Sequence, residues 1–565
     1  MIKDKTYVLT KQGDKMRKYI SMVFKTISFL IIGIFLFAMI QNILMPKRAP
    51  YTKAYDAGKL TGFYNEEEDT IDVLICSTSH ISKSILPMEL YEDYGITSYN
   101  LSTSTQPIEA TYYILAEALK TQSLEVFIID VSNLYFSSVE AKYWWFVLDE
   151  MRLGENKTAL LQEYKRSANG GNESKGELLF PLLRYHERWK ELRMNDFMGC
   201  LRGDIHDYSK GGQVNSAVSA ADVTVGEMNL AADQLLESTQ KIEYVYDAAG
   251  VNEKIEDHAL YHSDIPEKNI EWLRRMKALC DENNIQLLAV KVPTVFMPQL
   301  YNSSWIEEKY HQVRTLCNEE GITYYDLLYD TDAGIDWETD TSDEGLHLNL
   351  HGAQKLSDNL GRYLIERYGL SPKRSEQWNR DLESYQKVRK VALLELERDF
   401  TSYLDMLANE FKDKTIIMSM ANDGAVGLNE ADIWTLRALG LQADFSETDK
   451  NSYIAVIEGG SVKYEALSNR PLNYKGVCGE SNTAYEVYSS GWLTGADTSI
   501  KLAGEEQVNN HKGLNIVVYD TQRELVLDSV NFDTSSEDHK ARRSNSKTNG
   551  LEEQFEKYII EEEYK

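Results

Sequence analysis

The chain has 565 residues, with 60 Lys or Arg against 89 Asp or Glu, and a formal net charge of -29. This length predicts several folded units, and so acidic a chain lacks the basic face that nucleic-acid phosphates require. Its five cysteines form no Cys-x-x-Cys pair, which argues against a disulfide framework and a structural zinc site.

The N-terminal end departs from the acidic pattern. Residues 1–25 carry seven Lys or Arg against two Asp, and residues 26–45 form an uncharged, mostly apolar run. A helix of that length crosses about 30 Å of hydrocarbon. The charge bias predicts a cytoplasmic basic tail, a transmembrane signal anchor and an extracellular remainder. A cleaved signal peptide is the alternative, but the run offers no small-x-small cleavage site.

Residues 46–69 are polar and end in the acidic run Glu66 to Asp69, which is typical of a solvated stalk. From residue 70 onward, apolar strand patterns alternate with helical ones. The predicted strands are Asp72–Cys76, Glu125–Val131, Ile285–Val292 and Thr323–Leu328, and the predicted helices are Ile108–Lys120, Trp272–Asn283, Trp305–Glu319 and Leu350–Arg367. This alternation predicts an α/β domain over 70–371 with a parallel, doubly wound sheet.

A long insertion interrupts that domain at about 137–265. Insertions of this length are usually lids or binding surfaces, and the sequence leaves open whether this one covers a site. Within it, His186, Arg188 and Trp189 suit sugar binding, although core packing is the favoured interpretation of Trp189.

The C-terminal third begins with a charged segment, 372–412, whose spacing predicts one long connecting helix. Residues 413–535 then contain four β-rich runs and one helix, Glu430–Leu439. The runs Tyr453 to Gly460 and Gly513 to Asp520, followed by Asp528-Ser529, resemble the interleukin-like EMT inducer (ILEI) domain. The resemblance implies a β-rich fold and, in some relatives, glycan binding. For Gly459-Gly460 itself, a hairpin turn is favoured over a ligand role. Residues 536–565 alternate basic and acidic clusters and are predicted to be a disordered tail.

Two short motifs, about 270 residues apart, carry the chemistry. The first, Thr70 to His80, is a strand that ends in a small polar turn with Ser79. The second, Asp343 to Ala353, is a loop with His347 before a helix. A serine at a strand end needs an imidazole to take its proton and an acid to orient that imidazole. A turn or N-cap serine is the structural alternative for Ser79.

Ser77-Thr78-Ser79-His80 and Asp343 to Asn349 resemble the SGNH/GDSL hydrolase family. The closest likeness is to a bacterial envelope subgroup that accompanies membrane-bound O-acyltransferases, with Ser77 where that subgroup has Gly. The resemblance covers about residues 70 to 400. It implies a flavodoxin-like three-layer α/β/α domain that needs no cofactor.

The same resemblance assigns roles to individual residues. Ser79 is the implied nucleophile and His347 the base, oriented by Asp343 or by Glu344, with Asp343 slightly favoured. Two blocks depart from the family pattern. Ser102 stands in the oxyanion block that usually carries Gly, and Asn133 stands where the family has its Asn block, though it also suits a loop.

Three further residues near these motifs allow more than one interpretation. His80 is expected to line the substrate pocket or to hold the turn. Asp130 and Lys291 end strands and suit either substrate contact or ion pairing. A metal pair of His347 and His351 lacks an evident third ligand, so no metal site is predicted.

These features together predict a membrane-anchored serine esterase or O-acetyltransferase that modifies cell-surface polysaccharide through an acyl-serine intermediate. The partners expected are an acylated glycan, the membrane and a membrane-bound O-acyltransferase. The alternative is a non-catalytic envelope protein that binds glycan or serves as a scaffold for that acyltransferase. Transfer and hydrolysis use the same residues, so the sequence does not distinguish them.

Overall fold

The structure is a computed structural model. It describes residues 2–46, 56–136, 138–167, 180–190, 192, 196–197, 206–217, 265–293, 312–327, 330–331, 333–336, 339–342, 346–446 and 451–543.

The chain begins with one long helix, α1 (Ile2–Leu44). Its stretch Arg17–Leu44 has a mean hydropathy of 2.4 and contains an 18-residue window with no buried residue. By length and composition this helix could be a membrane anchor or a signal sequence. It includes the predicted apolar run and also continues back through the basic N-terminal residues.

A five-stranded sheet forms the centre of the first half of the chain. Its order is β2-β1-β3-β4-β5 and every pairing is parallel, as predicted. The strands are β1 (Val73–Ile75), β2 (Ser98–Asn100), β3 (Val126–Asp130), β4 (Gln286–Lys291) and β5 (Thr323–Asp326). β2 was not predicted from the sequence, because its residues Ser-Tyr-Asn do not form the apolar run that marks β1.

Both faces of this sheet are covered. Val73 and Ile75 pack on one face and Leu74 on the other, because successive strand residues point to opposite sides. One face packs against helices α3 (Ser79–Ser84), α4 (Pro87–Tyr94) and α9 (Leu350–Tyr368), and the other against α5 (Ile108–Ala118) and α8 (Glu267–Glu282). A further helix covers 312–319.

The predicted stalk is wrong for residues 56–69. This segment contains a short helix, α2 (Lys59–Phe63), whose Leu60 and Phe63 are buried in the core. Glu66, from the acidic run, pairs with Lys210 at 2.9 Å instead of facing water. The charge run suggested a linker, but Glu66 is paired with the buried Lys210, and only Glu67, Glu68 and Asp69 are exposed.

The predicted insertion at 137–265 partly joins the core. Helices α6 (Ala141–Leu148) and α7 (Glu155–Arg166) bury Trp144 and Tyr164. Residues 206–217 run along the edge strand β2, where the Asn100 amide donates to the Lys210 carbonyl at 2.8 Å. Gly211 has a φ of 77°, and a Cβ there would collide with the Asn100 carbonyl, so this close approach requires glycine.

The single connecting helix predicted at 372–412 is also wrong, since two helices occupy this stretch. They are α10 (Glu376–Leu396) and α11 (Phe400–Glu410). The first helix ends just before Glu397, whose backbone is extended. Asp399 caps the second helix by accepting a hydrogen bond from the Ser402 amide at 2.8 Å.

The C-terminal region is β-rich, as predicted. A six-stranded sheet has the order β10-β9-β8-β15-β16-β17, and a four-stranded sheet the order β11-β12-β13-β14. Their strands are β8 (Thr415–Ala421), β9 (Ser452–Glu458), β10 (Ser461–Ser468), β11 (Leu472–Cys478), β12 (Thr483–Ser489), β13 (Thr498–Leu502), β14 (Glu505–Glu506), β15 (Gly513–Asp520), β16 (Leu525–Phe532) and β17 (Ala541–Arg543). The predicted helix is α12 (Glu430–Ala438).

Gly459-Gly460 forms the two-residue turn between β9 and β10. Glu458 pairs with Ser461 across it, and the glycines have φ values of 55° and 72°. The hairpin interpretation is therefore confirmed.

The predicted disordered tail is wrong for residues 541–543. They form β17 on the edge of the six-stranded sheet, with Val530 opposite Arg543. Arg543 also pairs with the buried Asp528 at 3.2 Å. The rest of the predicted tail, 544–565, lies outside the described residues.

Candidate active site

The turn that carries Ser79 is held by hydrogen bonds from neighbouring strands. The Ser77 amide donates to Ser102 Oγ at 2.8 Å, and Ser77 Oγ donates to the Asp130 carbonyl at 2.7 Å. Thr78 occupies the N-cap position of α3, so Ser79 is the first helical residue. The cap position that competes with a catalytic role therefore belongs to Thr78, and Ser79 is half-buried at the carboxyl edge of the parallel sheet.

His347 lies on a two-stranded hairpin. β6 (Thr341–Ser342) and β7 (His347–Leu348) pair with Ser342 opposite His347. Leu348 is buried beneath the sheet. Asn349 then caps α9 by accepting from the His351 amide at 3.0 Å. A strand on one side and a capped helix on the other fix the backbone around His347.

The fold brings the two predicted residues together. His347 Nε2 lies 3.0 Å from Ser79 Oγ, although the residues are 268 positions apart. This is within the range over which a base and a nucleophile share a proton. His347 is 8% exposed, so the pair is shielded from bulk water but reachable from the Ser79 side.

The acid that orients His347 was predicted to be Asp343 or Glu344. Both residues lie outside the part of the chain that the structure describes. The choice between them stays a prediction.

The ring of His80 lies next to the ring of His347. Their ring centroids are 5.4 Å apart, and His80 Nδ1 is 4.0 Å from an Asp130 carboxylate oxygen. Burial lowers the pKa of His80 well below its ordinary value, and the electrostatic influence of the neighbouring His347 and Lys291 lowers it further. A neutral imidazole is therefore packed against the proposed base.

Asp130 stabilises the turn that carries Ser79. It is fully buried, and it accepts hydrogen bonds from Thr78 Oγ1 at 3.2 Å and from Ser132 Oγ. Burial raises the pKa of Asp130, and the positive charge of Lys291 opposes that rise. Burial lowers the pKa of Lys291, against the pull of Asp130 and Asp326. The opposite charges of Asp130 and Lys291 stabilise each other, and Lys291 Nζ donates to the Val292 carbonyl at 3.0 Å, which favours a structural role for both.

The two predicted oxyanion donors, Ser102 and Asn133, are less suitably placed for catalysis than Ser79 and His347. Ser102 lies beside the turn, but its amide donates to Asn100 Oδ1 at 3.1 Å. Asn133 is buried in a 3-10 helix, where its amide nitrogen is 3.5 Å from Thr111 Oγ1. Among the hydrogen bonds of the described residues, none joins Asn133 to Ser79 or His347. The Ser79–His347 pair is thus formed more completely than the oxyanion hole.

Two supporting residues escaped the sequence analysis. Lys59 Nζ donates to the Ser102 carbonyl at 2.6 Å and to Ser82 Oγ at 2.5 Å. Asn215 donates to Ser342 Oγ at 2.6 Å and to the Leu348 carbonyl at 3.0 Å. Lys59 lies in the predicted stalk and Asn215 in the predicted insertion, so no local pattern marked either. The run Gly211-Gly212 just before Asn215 was the only hint of a close approach.

The part of the chain that the structure describes contains no group of three or more His, Cys, Asp or Glu that could hold a metal ion. Four of the five cysteines, at positions 76, 280, 317 and 478, are buried and free, and the fifth lies outside the described residues. Burial raises the pKa of the Cys76 thiol to about 12, which makes it a packing residue and not a nucleophile.

A scan of protein-family models finds no match to this chain, and a search of the curated proteins finds none either.

Proposed function

We propose that this protein is an SGNH-type serine esterase or O-acyltransferase that works through an acyl-serine intermediate. The observation that carries the proposal is the 3.0 Å contact between Ser79 Oγ and His347 Nε2 at the carboxyl edge of the parallel sheet. Ligands of open α/β sheets bind at that edge. The resemblance of the two motifs to the SGNH/GDSL family supports the same assignment.

In the first half-reaction, Ser79 Oγ attacks the carbonyl carbon of an acyl ester. His347 Nε2 takes the hydroxyl proton as the new C–O bond forms, and the carbonyl electrons move onto oxygen. The Ser79 amide is the nearest proposed donor to that oxyanion. The tetrahedral species then collapses, the bond to the leaving alkoxide breaks, and His347 returns the proton to it.

In the second half-reaction, His347 takes a proton from the water or sugar hydroxyl that attacks the acyl-Ser79 ester. It returns that proton to Ser79 Oγ as the bond between the acyl carbon and Oγ breaks. If water attacks, the products are a carboxylic acid and free Ser79. If a sugar hydroxyl attacks, the acyl group moves to glycan. A small acyl group such as acetyl on cell-surface polysaccharide is the proposed cargo, from the likeness to envelope proteins.

The proposed location is the outer face of the cell membrane. The apolar stretch Arg17–Leu44 supports a membrane anchor, and the basic residues before it favour a cytoplasmic N-terminus. The catalytic domain would then face the glycans of the envelope. A membrane-bound O-acyltransferase is the proposed source of acyl groups.

A second candidate function is a non-catalytic glycan-binding or scaffold protein of the envelope. The observation that favours it is the engaged amide of Ser102, which donates to Asn100. Without that donor, the oxyanion hole has one member fewer than the family pattern. The two candidates differ in whether Ser79 turns over an ester.

The test uses the full chain in detergent micelles with p-nitrophenyl acetate. We expect Ser79→Ala and His347→Gln each to lower kcat/KM by about 10³-fold or more, because nucleophile and base act as a unit. Equal turnover in wild type and both variants would remove the esterase proposal and leave the scaffold.

Matched controls separate loss of chemistry from loss of fold. Ser84→Ala removes a buried hydroxyl of the same helix α3, one that has no hydrogen-bond partner in the described structure. His351→Gln changes a histidine one helical turn beyond His347. Both variants should keep wild-type turnover.

A further inference from the structure

Residues 180–190 expose apolar side chains next to the apolar helix α1. Leu183 is 45% exposed and Trp189 is 66% exposed, and Phe180 is also exposed. Core packing of Trp189, the interpretation favoured from sequence, is therefore wrong. Large apolar side chains grouped at one surface usually mark an interaction site.

This segment lies against the last turns of α1. The rings of Phe180 and Phe37 meet edge to face, with centroids 5.3 Å apart. Arg188 Nη1 donates to the Leu44 carbonyl at 2.7 Å, at the residue where α1 ends. A cation at a helix C-terminus satisfies a free carbonyl and complements the helix dipole.

The same segment is fixed to the α/β domain. The Arg184 guanidinium lies 3.9 Å above the Trp145 ring, and the Tyr185 hydroxyl donates to Asp149 Oδ2 at 2.9 Å. Trp145 is buried in the core of the domain. Residues 180–190 therefore contact both α1 and the α/β domain, and they connect the two in addition to the covalent chain.

The two contacts with α1 fix the position of residues 180–190 along the axis of that helix. Phe37 precedes Leu44 by seven residues, or about 10 Å along a helix axis. If the apolar stretch of α1 lies in hydrocarbon, Phe180 at the level of Phe37 lies below the lipid headgroups. Arg188 and Trp189, at the level of Leu44, then lie at the interface, where arginine and tryptophan are favoured.

We propose that residues 180–190 are a second membrane contact, in which Phe180 and Leu183 enter the outer leaflet beside α1 and Trp189 lies at its surface. The inference rests on the membrane anchorage proposed above. Its occupant is lipid, because Phe180 contacts Phe37, whose ring belongs to the exposed apolar surface of α1. Arg188 and Lys190 stand at the level of the headgroups.

Two membrane contacts would restrict which substrates the proposed site can reach. A domain held to the membrane at two points cannot move far from it, so its proposed site stays close to the bilayer. This favours membrane-proximal glycan over distant polymer.

The test is tryptophan quenching by brominated phosphatidylcholine in nanodiscs that hold one copy of the full chain. The sequence of α1 contains no Trp, and among the tryptophans in the described residues Trp189 is the one that the proposal places at the lipid surface. Bromine quenches indole only at close range. We expect brominated lipid to lower the fluorescence of the wild type, and Trp189→Phe to abolish most of that loss. Leu183→Asp should weaken the quenching while the protein stays in the disc.

Trp434→Phe is the control, since Trp434 is 74% exposed on α12 of the C-terminal region. Its quenching loss should equal that of the wild type. A protein that stays in the disc with Trp189 unquenched would overturn the second contact and leave the anchor intact. A protein that leaves the disc would refute the anchor and with it this inference.

Discussion

The side chain of Asn215 donates a hydrogen bond to the Leu348 carbonyl, 3.0 Å away, on the residue that follows His347. The Leu350 amide in turn donates to the Asn215 carbonyl at 2.8 Å. A segment from the long insertion thus holds the strand that carries the proposed base. The insertion contributes to the site as a support, whatever its remaining residues do.

Asn215→Ala should lower kcat on p-nitrophenyl acetate by about 10- to 100-fold with little change in KM, because small displacements of a base slow proton transfer. Asn215→Asp, which keeps the shape but cannot donate, should behave alike. Steady-state kinetics checks this. Asn283→Ala, which removes an exposed local hydrogen bond, should leave kcat unchanged, and an unaffected Asn215→Ala enzyme would refute the supporting role.

Lys59→Met should destabilise the α/β domain. The lysine is 1% exposed and donates to the Ser102 carbonyl and to Ser82, so its loss leaves buried acceptors unsatisfied. We expect a loss of about 2–4 kcal/mol, seen as a lower denaturation midpoint. Lys142→Met removes an exposed cation from a surface pair with the equally exposed Glu140, so it should leave the denaturation midpoint nearly unchanged. Equal effects of the two variants would restore the solvated-stalk interpretation.

His80 should make stability depend on pH below neutrality. Its pKa is lowered in the folded protein, mainly by burial. As the pH falls through about 6.5, the unfolded chain binds a proton that the folded chain does not, so folding stability decreases. His80→Gln should remove up to about 1.4 kcal/mol of that loss per pH unit. Thermal unfolding midpoints from pH 7.5 to pH 5 measure this, and parallel curves for the two proteins would contradict it.

Arg543→Met should destabilise the C-terminal region. Arg543 pairs with the fully buried Asp528 and donates to the carbonyls of Leu394 and Glu397. Removing it strands a buried carboxylate, at a cost of about 3–5 kcal/mol. The adjacent Arg542→Met breaks a more exposed pair with Asp533 and should cost under about 1 kcal/mol. Denaturation of both variants decides whether residues 541–543 belong to the fold.

The parallel sheet was predictable from sequence because its strands are short apolar runs between helical patterns. Ser79 and His347 were predictable because each lies in a compact motif. Lys59 and Asn215 were not, since their roles depend on which distant backbone they meet. The same holds for Glu66, whose charge suggests solvent until Lys210 is placed beside it. The break between α10 and α11 at Glu397 was not predictable, because no glycine or proline lies there.

The most direct test of the Ser79–His347 pair is covalent labelling with a fluorophosphonate, followed by mass spectrometry of the peptides. The account predicts a single adduct on Ser79 in the full-length wild type and in Ser84→Ala, with none in Ser79→Ala and much slower labelling in His347→Gln. An unlabelled wild type, or labelling that is equally fast without His347, would contradict it.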